Sequence, residues 1–402
     1  MNIFEEAMQQ KSVFRNRDLV TPHYMPERLP FREKQISQIT NTLALALKGS
    51  KPDNIFIYGR TGTGKTVTTK FVLAQLNEFA KKNNAKVITT YINCRNHPTK
   101  YKVLLKCCSQ YYPEHNFIGY SAGFVYEKVI NYVEDNKCFA IIALDEIDKV
   151  KDLDDLIYAL TRSNDDISHG GISIIGISNN VLFKNRLDAR TKSSLCQKEL
   201  VFPPYNAHEL KEILKQRVEL AFYKNTVEES AINLAAGIAA KESGDARTAV
   251  MLLLRAGEIA DKKKIFKVRD KEVEEARKKV EEEIILNMIS TLPIQEQLVL
   301  LAITKLSLNK KGINKLTGMQ EENVLYSGEV YEEYCRIAKR INENVVSARW
   351  YREYIHELET YGLIITTSSG IGQRGHTTFI KLGYEANKIY NSLLKILQVE
   401  NI

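Results

Sequence analysis

The stretch Gly59-Arg60-Thr61-Gly62-Thr63-Gly64-Lys65-Thr66 limits what this chain can fold into more than any other. It fits G-x-x-x-x-G-K-[ST] in full, follows the apolar run Ile55–Tyr58 and opens a helical pattern over Lys65–Lys81. Glycines let such a loop curl until its amide N–H groups converge on phosphate oxygens. Lys65 then places a positive charge near the terminal phosphates, Thr66 offers a hydroxyl to Mg²⁺, and the following helix adds the positive end of its dipole. A strand, such a loop and a helix in succession imply an α/β layer built on a parallel sheet.

Other short apolar runs repeat this grammar. Val87–Asn93, Phe139–Leu144 and Ile172–Ser178 read as strands covered on both faces, with helical stretches such as Phe124–Glu134 between them. After Phe202-Pro203-Pro204 the strand pattern is expected to stop, leaving helices from Ala207 to about Asn287. Within that region Asp261–Glu283 is dense in mixed charge, as a solvated helix face between domains would be. Near Leu292-Pro293 a further unit begins. Its helices lead to a strand-like Leu363–Thr367, a glycine-rich turn over Ser368–His376 and a second strand over Thr377–Lys381, which is the order of a winged helix. The expected organisation is a nucleotide-binding core with an N-terminal extension (1–204), a helical lid (205–287) and a winged-helix domain (288–402).

Asp145 and Glu146 close the apolar strand Phe139–Leu144. Ligands of parallel sheets bind at the carboxyl ends of the strands, so Asp145 is placed to hold Mg²⁺ and Glu146 to orient or deprotonate water. Asn179 ends the next strand in the same way; it suits either the same water or an ordinary turn, as Asn180 beside it does. The six cysteines show no zinc spacing, and several sit in apolar runs as small core residues would. Neither a signal peptide nor a membrane span is expected, which suits a cytoplasmic protein. A net charge of +8, from 57 basic and 49 acidic residues, permits a polyanionic partner without demanding one.

Val345–Leu358 is helical in pattern. Trp350, Tyr354, Leu358 and Tyr361 recur at helical spacing and are expected to pack inward, leaving Ser347, Arg349 and Arg352 outward. In a winged helix this is the element that enters the major groove of DNA, with Arg374 in the wing reaching the adjacent minor groove. Winged helices also bind proteins, so the pattern alone leaves both partners open.

Taken together, these motifs resemble the AAA+ ATPases and, more narrowly, the archaeal origin-recognition initiators, relatives of the eukaryotic origin recognition complex. The resemblance rests on the phosphate loop, Asp145-Glu146-Ile147-Asp148, Tyr24–Glu33, Arg186–Leu195, Phe202–Ala207 and Gly244-Asp245-Ala246-Arg247. It covers nearly the whole chain. The fold it implies is an α/β AAA+ core, a helical lid and a C-terminal winged helix. It implies that Asn179 is a sensor of the nucleotide, that Arg190 is an arginine finger acting on a neighbouring subunit, and that Arg247 reaches the γ-phosphate from the lid. It further implies that Tyr205 and Arg217 contact nucleotide at the hinge and that Tyr24 and Pro26 pack on adenine. Gly59, Gly62, Thr63, Gly64, Lys65 and Thr66 would hold the phosphates of ATP or ADP, and Thr66 and Asp145 the Mg²⁺.

An insertion over Tyr111–Glu134 would supply a second DNA contact near Tyr120. The chain departs from the family in having Phe31-Arg32-Glu33 where His-Arg-Glu is usual, and in a wing with fewer arginines. The implied activity is that of a weak Mg-dependent ATPase acting as a switch. The implied partners are double-stranded origin DNA, other initiator subunits and the replicative helicase, with no membrane. Two other functions suit the same motifs: a P-loop regulator of transcription, and a DNA-binding scaffold in which nucleotide stays locked.

Overall fold

The computed structural model describes residues 11–22, 24–180, 183–309, 325–368 and 378–397. The chain divides into two compact units, Met1–Glu274 and Glu275–Ile402.

In the first unit, strands β1 (Ile55–Tyr58), β2 (Val87–Asn93), β3 (Phe139–Asp145), β4 (Gly171–Ser178) and β5 (Lys198–Val201) form one sheet. Their order is β2-β3-β4-β1-β5 and the pairings are parallel. Successive side chains of a strand point to opposite faces, and each face here meets its own core. Ala140, Ile142 and Leu144 of β3 pack with helices Lys100–Tyr111, Ala122–Asn136 and Leu153–Asp166. Ile141 and Ala143 pack on the other side with helices Glu33–Leu47 and Lys65–Lys82. That double coverage is why the runs are almost continuously apolar. The helix after β1 therefore lies on one face and the helix after β3 on the other, which opens a crevice at the carboxyl ends of the strands.

β5 adds a strand that the sequence reading did not name, although it lies before the Phe202-Pro203-Pro204 boundary at which that reading ends the strands. Lys198-Glu199-Leu200-Val201 pairs with β1 at the sheet edge and buries only Leu200 of its four side chains. A half-covered edge strand carries too few apolar residues to announce itself.

From Ala207 to Ser290 the named elements are all helices, as expected. Helix Ala207–Ala221 starts with a reciprocal cap, Asn206 and Glu209 each accepting from the other's backbone N–H at 2.9 Å. Helices Glu229–Glu242 and Ala246–Lys262 pack beside it. Residues 12–14 lie against this helical lid: Ser12 Oγ donates to Asp261 at 2.6 Å, and the Phe14 and Phe222 rings pack 4.7 Å apart.

The second unit is a winged helix by architecture. Helices Ile294–Asn309, Ser327–Arg340 and Ala348–Thr360 precede an antiparallel pair, β7 (Ile364–Ser368) and β8 (Thr378–Leu382), with β6 (Leu325–Tyr326) on the far edge of β8. Helix Ala386–Leu397 follows. One of the expectations fails here. The inward stripe of Ala348–Thr360 is Tyr351, Ile355 and Leu358, whereas Trp350 is 59% exposed and Tyr361 is exposed. Both stripes have helical spacing. The partners of Tyr351 decide between them, since its hydroxyl donates to the Ser327 carbonyl at 3.0 Å and its ring packs on Tyr331 at 5.0 Å.

Candidate nucleotide and nucleic-acid sites

The phosphate loop takes the conformation its glycines permit. Gly62 (φ 67°) and Gly64 (φ 88°) occupy the left-handed region, and a Cβ on Gly64 would come within 2.8 Å of the Tyr205 hydroxyl. Lys65 is buried at the start of helix Lys65–Lys82, and its Nζ donates to the carbonyls of Gly59 (2.9 Å) and Arg60 (2.7 Å). Burial brings its pKa down to about 8, with Asp145 opposing the fall.

Asp145, at the last position of β3, is buried beside this loop. Its Oδ2 accepts from Thr66 Oγ1 and from the Tyr91 hydroxyl, each at 2.6 Å, and its Oδ1 from the Glu146 amide at 2.9 Å. Burial first, and then the Asp145 carboxylate, push the Tyr91 pKa well above its usual value. Glu146 itself stands at φ 53°, an uncommon conformation for a residue with a side chain. Ser178 at the end of β4 donates to Asp148 at 2.9 Å, tying the turn after β3 to the strand beside it.

These groups border a cavity of about 400 Å³. Its lining includes Tyr24, Pro26, Gly62, Gly64, Lys65, Thr66, Asp145, Glu146, Asn179, Tyr205, Arg217 and Arg247, so residues expected from seven separated stretches meet in one place. Gly59 and Thr63 support the loop from behind: a Cβ on Gly59 would lie 2.4 Å from the Phe202 carbonyl, and the buried Thr63 hydroxyl donates to Arg60 at 2.8 Å. Arg217 stacks on the Tyr24 ring at 4.8 Å and donates to the carbonyls of Leu19 (3.2 Å) and Tyr24 (3.4 Å). Its Nε is buried without a hydrogen-bond partner among the described residues.

Arg190 stands apart from this cavity. It is exposed at the start of helix Ala189–Leu195, bordering a different hollow with Lys51, Tyr158 and Arg162. Tyr120 lies in the loop between helices Lys100–Tyr111 and Ala122–Asn136, half exposed and stacked 4.8 Å from Phe124. Ser347 stands at the N-cap position of helix Ala348–Thr360 without a side-chain capping bond, and Arg349 and Arg352 are exposed along the helix. Arg374 lies outside the described residues.

Sequence reasoning gave no role in the site to three residues. Arg32, only 2% exposed, donates to the carbonyls of Phe31 (2.8 Å), Thr63 (2.9 Å) and Pro203 (2.8 Å) and stacks on Tyr205 at 3.7 Å. Burial lowers its pKa, against the influence of Tyr205. Asp245 fills the space over Gly62, while the Ala246 amide donates to the Gly62 carbonyl at 3.2 Å. Tyr91 is the third, and the parallel register of Asn93 with Asp145 is the signal that could have found it. Among the described residues no group of His, Cys, Asp and Glu has metal-site geometry of its own, and no helix is long and apolar enough to cross a membrane.

Comparison with known proteins agrees with this fold. The AAA domain family model matches residues 48–180, the Cdc6 AAA+ ATPase-type lid domain residues 211–278, and the CDC6 C-terminal winged helix domain residues 287–392. ORC1-type DNA replication protein 1 of Sulfurisphaera tokodaii is 40% identical over 389 residues, covering 96% of this chain and 94% of that protein. The ORC1-type DNA replication protein of Thermococcus kodakarensis is 38% identical over 398 residues, covering 97% and 93%. The solved structure of the Aeropyrum pernix ORC1 protein in complex with DNA superposes with a TM-score of 0.83 at 34% identity, covering 96% of this chain and 98% of that one. The chain therefore belongs to the ORC1-type DNA replication initiators, AAA+ ATPases with a Cdc6-type lid and a C-terminal winged helix.

Proposed function

We propose that this chain is an ATP-dependent replication initiator that binds double-stranded origin DNA and helps recruit or load the replicative helicase, in company with other initiator subunits on the chromosome. The observation that carries the nucleotide half is the single cavity bringing Lys65, Thr66, Asp145, Glu146, Arg217 and Arg247 together. In this reading the amides of the Gly59–Thr66 loop and the Lys65 ammonium bind the phosphates of ATP or ADP. Arg247 reaches the γ-phosphate from the lid, and Tyr24, Pro26, Tyr205 and Arg217 hold the nucleoside, with the unpartnered Arg217 Nε available to it. Thr66 and Asp145 present hard oxygen donors, the set Mg²⁺ prefers; the ion would neutralise phosphate charge. Glu146 orients the attacking water, helped by Asn179. Arg190, bordering another hollow, serves a neighbouring subunit's nucleotide.

On the DNA side, Ser347, Arg349 and Arg352 meet the major groove, Arg374 the minor groove, and Tyr120 the backbone. Support comes from the exposed cations on helix Ala348–Thr360 and from a 34%-identical relative solved in complex with DNA. The test is footprinting on the host's chromosomal DNA with ATP, with ADP and without nucleotide. Protection of one origin-proximal region, lost in Arg349→Glu/Arg352→Glu, is expected, and affinity should fall steeply with salt. Footprints confined to promoters would instead favour a transcription regulator. A scaffold with locked nucleotide has one observation in its favour, the lid already bonded to the loop at Gly62. ADP retained through purification with almost no turnover would decide for it.

A further inference from the structure

Helix Ala348–Thr360 has its rotation fixed by Tyr351, Ile355 and Leu358 in the core of the second unit. At 100° per residue this turns Trp350 away from that core. Its indole, the only one in the chain, is 59% exposed, with the Tyr354 ring 6.5 Å away on its own helix. An exposed indole at the start of a helix invites the question of what covers it, and the charges around it answer. Arg349 and Arg352 are exposed on the same two turns, and neither has an ion-pair partner among the described residues. Two acids further along are drawn back to the protein. Glu357 lies beside the buried Glu296, and Glu359 accepts from Thr366 Oγ1 at 2.6 Å and from its amide at 3.1 Å. Glu353 is the exposed acid that remains near the cations. The first turns thus present an apolar plate between two cations, next to the positive end of a helix dipole. The complement is a polyanion that exposes an apolar group.

Duplex DNA does this in its major groove, where the thymine 5-methyl is the apolar feature among donors and acceptors. The bases of a duplex are stacked, so the indole meets this edge and not a base face. We propose that Trp350 reads a thymine methyl in the major groove while Arg349 and Arg352 hold the flanking phosphates. This inference rests on the DNA-binding reading above and adds to it a residue that selects sequence.

The test uses the full chain with an oligo(dA)·oligo(dT) duplex and the same duplex with uracil in place of thymine, followed by anisotropy of labelled DNA and by the fluorescence of Trp350. Losing one buried methyl should weaken the parent's binding about fourfold, equivalent to about 0.8 kcal/mol. Trp350 emission should change on binding. Trp350→Ala should bind both duplexes equally, and Trp350→Phe should keep part of the preference. Thermal midpoints equal to the parent's would show that these variants stay folded. A parent that does not distinguish the duplexes, or a Trp350→Ala protein that keeps the full ratio, overturns the inference alone. So does a loss in Trp350→Ala that is equal on both duplexes, which would place the indole on the backbone. A parent that binds neither duplex overturns the DNA-binding reading, and this inference with it.

Discussion

Replacing Gly62 by alanine should separate the lid from the phosphate loop. At φ 67° a Cβ on residue 62 would lie 1.5 Å from Asp245 Oδ1 and 1.9 Å from its Cγ, so the carboxylate has to leave. That carboxylate caps helix Ala246–Lys262, accepting from the amides of Arg247 at 2.6 Å and Thr248 at 3.4 Å. Alanine in the left-handed region costs about 1–2 kcal/mol, and a lost cap about 0.5–2, so Gly62→Ala should destabilise the first unit by about 1.5–4 kcal/mol. Asp245→Ala alone should cost only the cap, about 1 kcal/mol. In the double variant the cap is counted once, so its cost should fall short of the summed single costs by about 1 kcal/mol. Urea unfolding followed by far-ultraviolet circular dichroism measures all three. Trp350, which lies in the second unit, reports that unit's transition separately through its fluorescence. Costs that add to within about 0.5 kcal/mol would mean that the carboxylate moves without losing its cap, and the steric argument would fail.

Lys65→Ala should abolish ATP binding, because nothing else at the helix start replaces its charge; unchanged binding of labelled ATP would refute the reading of the loop. Glu146→Gln should bind ATP as the parent does and hydrolyse it at least tenfold more slowly; an unaltered single-turnover rate would remove Glu146 from the chemistry. Burial lowers the Lys65 pKa to about 8, so bound phosphates, by raising it again, should draw about half a proton from solution at pH 8 and almost none at pH 6.5. Calorimetry in two buffers of different ionisation enthalpy measures this, and proton release would contradict the sign. Burial, with the Glu357 carboxyl beside it, raises the Glu296 pKa to about 8, above the ordinary value near 4.3. The stability this proton contributes is complete below pH 4.3 or so and is lost as pH rises to about 8. Glu296→Gln should therefore flatten the fall in the second unit's thermal midpoint over that range, read by Trp350 fluorescence; an unchanged slope would exclude this pair as its cause.

Where local chemistry is self-contained, the sequence is legible. The phosphate loop can be read because only glycines allow its curl, and the buried strands because both faces are covered. Asp145 could be placed at the cavity because a strand end in a parallel sheet has one side for ligands. What was not legible depends on which neighbour arrives. β5 carries one buried leucine and is a strand because β1 offers it an edge. Trp350 and Tyr351 are adjacent aromatics with equally good helical spacing, and only the Ser327 carbonyl and the Tyr331 ring choose which turns inward. Arg32 was visible as a residue but not as a contact, since its acceptors lie 31 and 171 positions away.

Those distant acceptors tie the loop, the hinge and the lid into one bonded set. Arg32 follows Phe31, whose φ of 62° is an uncommon backbone turn for a residue with a side chain, and its guanidinium is directed inward. Once there it takes one carbonyl from the phosphate loop (Thr63) and one from the segment leading into the lid (Pro203), and it stacks on Tyr205. The lid meets the same loop a second time where the Ala246 amide reaches Gly62. The Arg32–Thr63 bond is buried, and a buried carbonyl that loses its donor costs about 1–3 kcal/mol. A lid that swings about Pro203-Pro204 must therefore carry the loop with it or leave these groups unpaired. Because the Gly59–Thr66 backbone is also the surface that would face phosphates, a ligand that shifts this loop acts on the same hydrogen bonds that set the lid angle. Were nucleotide bound at this loop as proposed, these bonds would connect it to the position of Arg247.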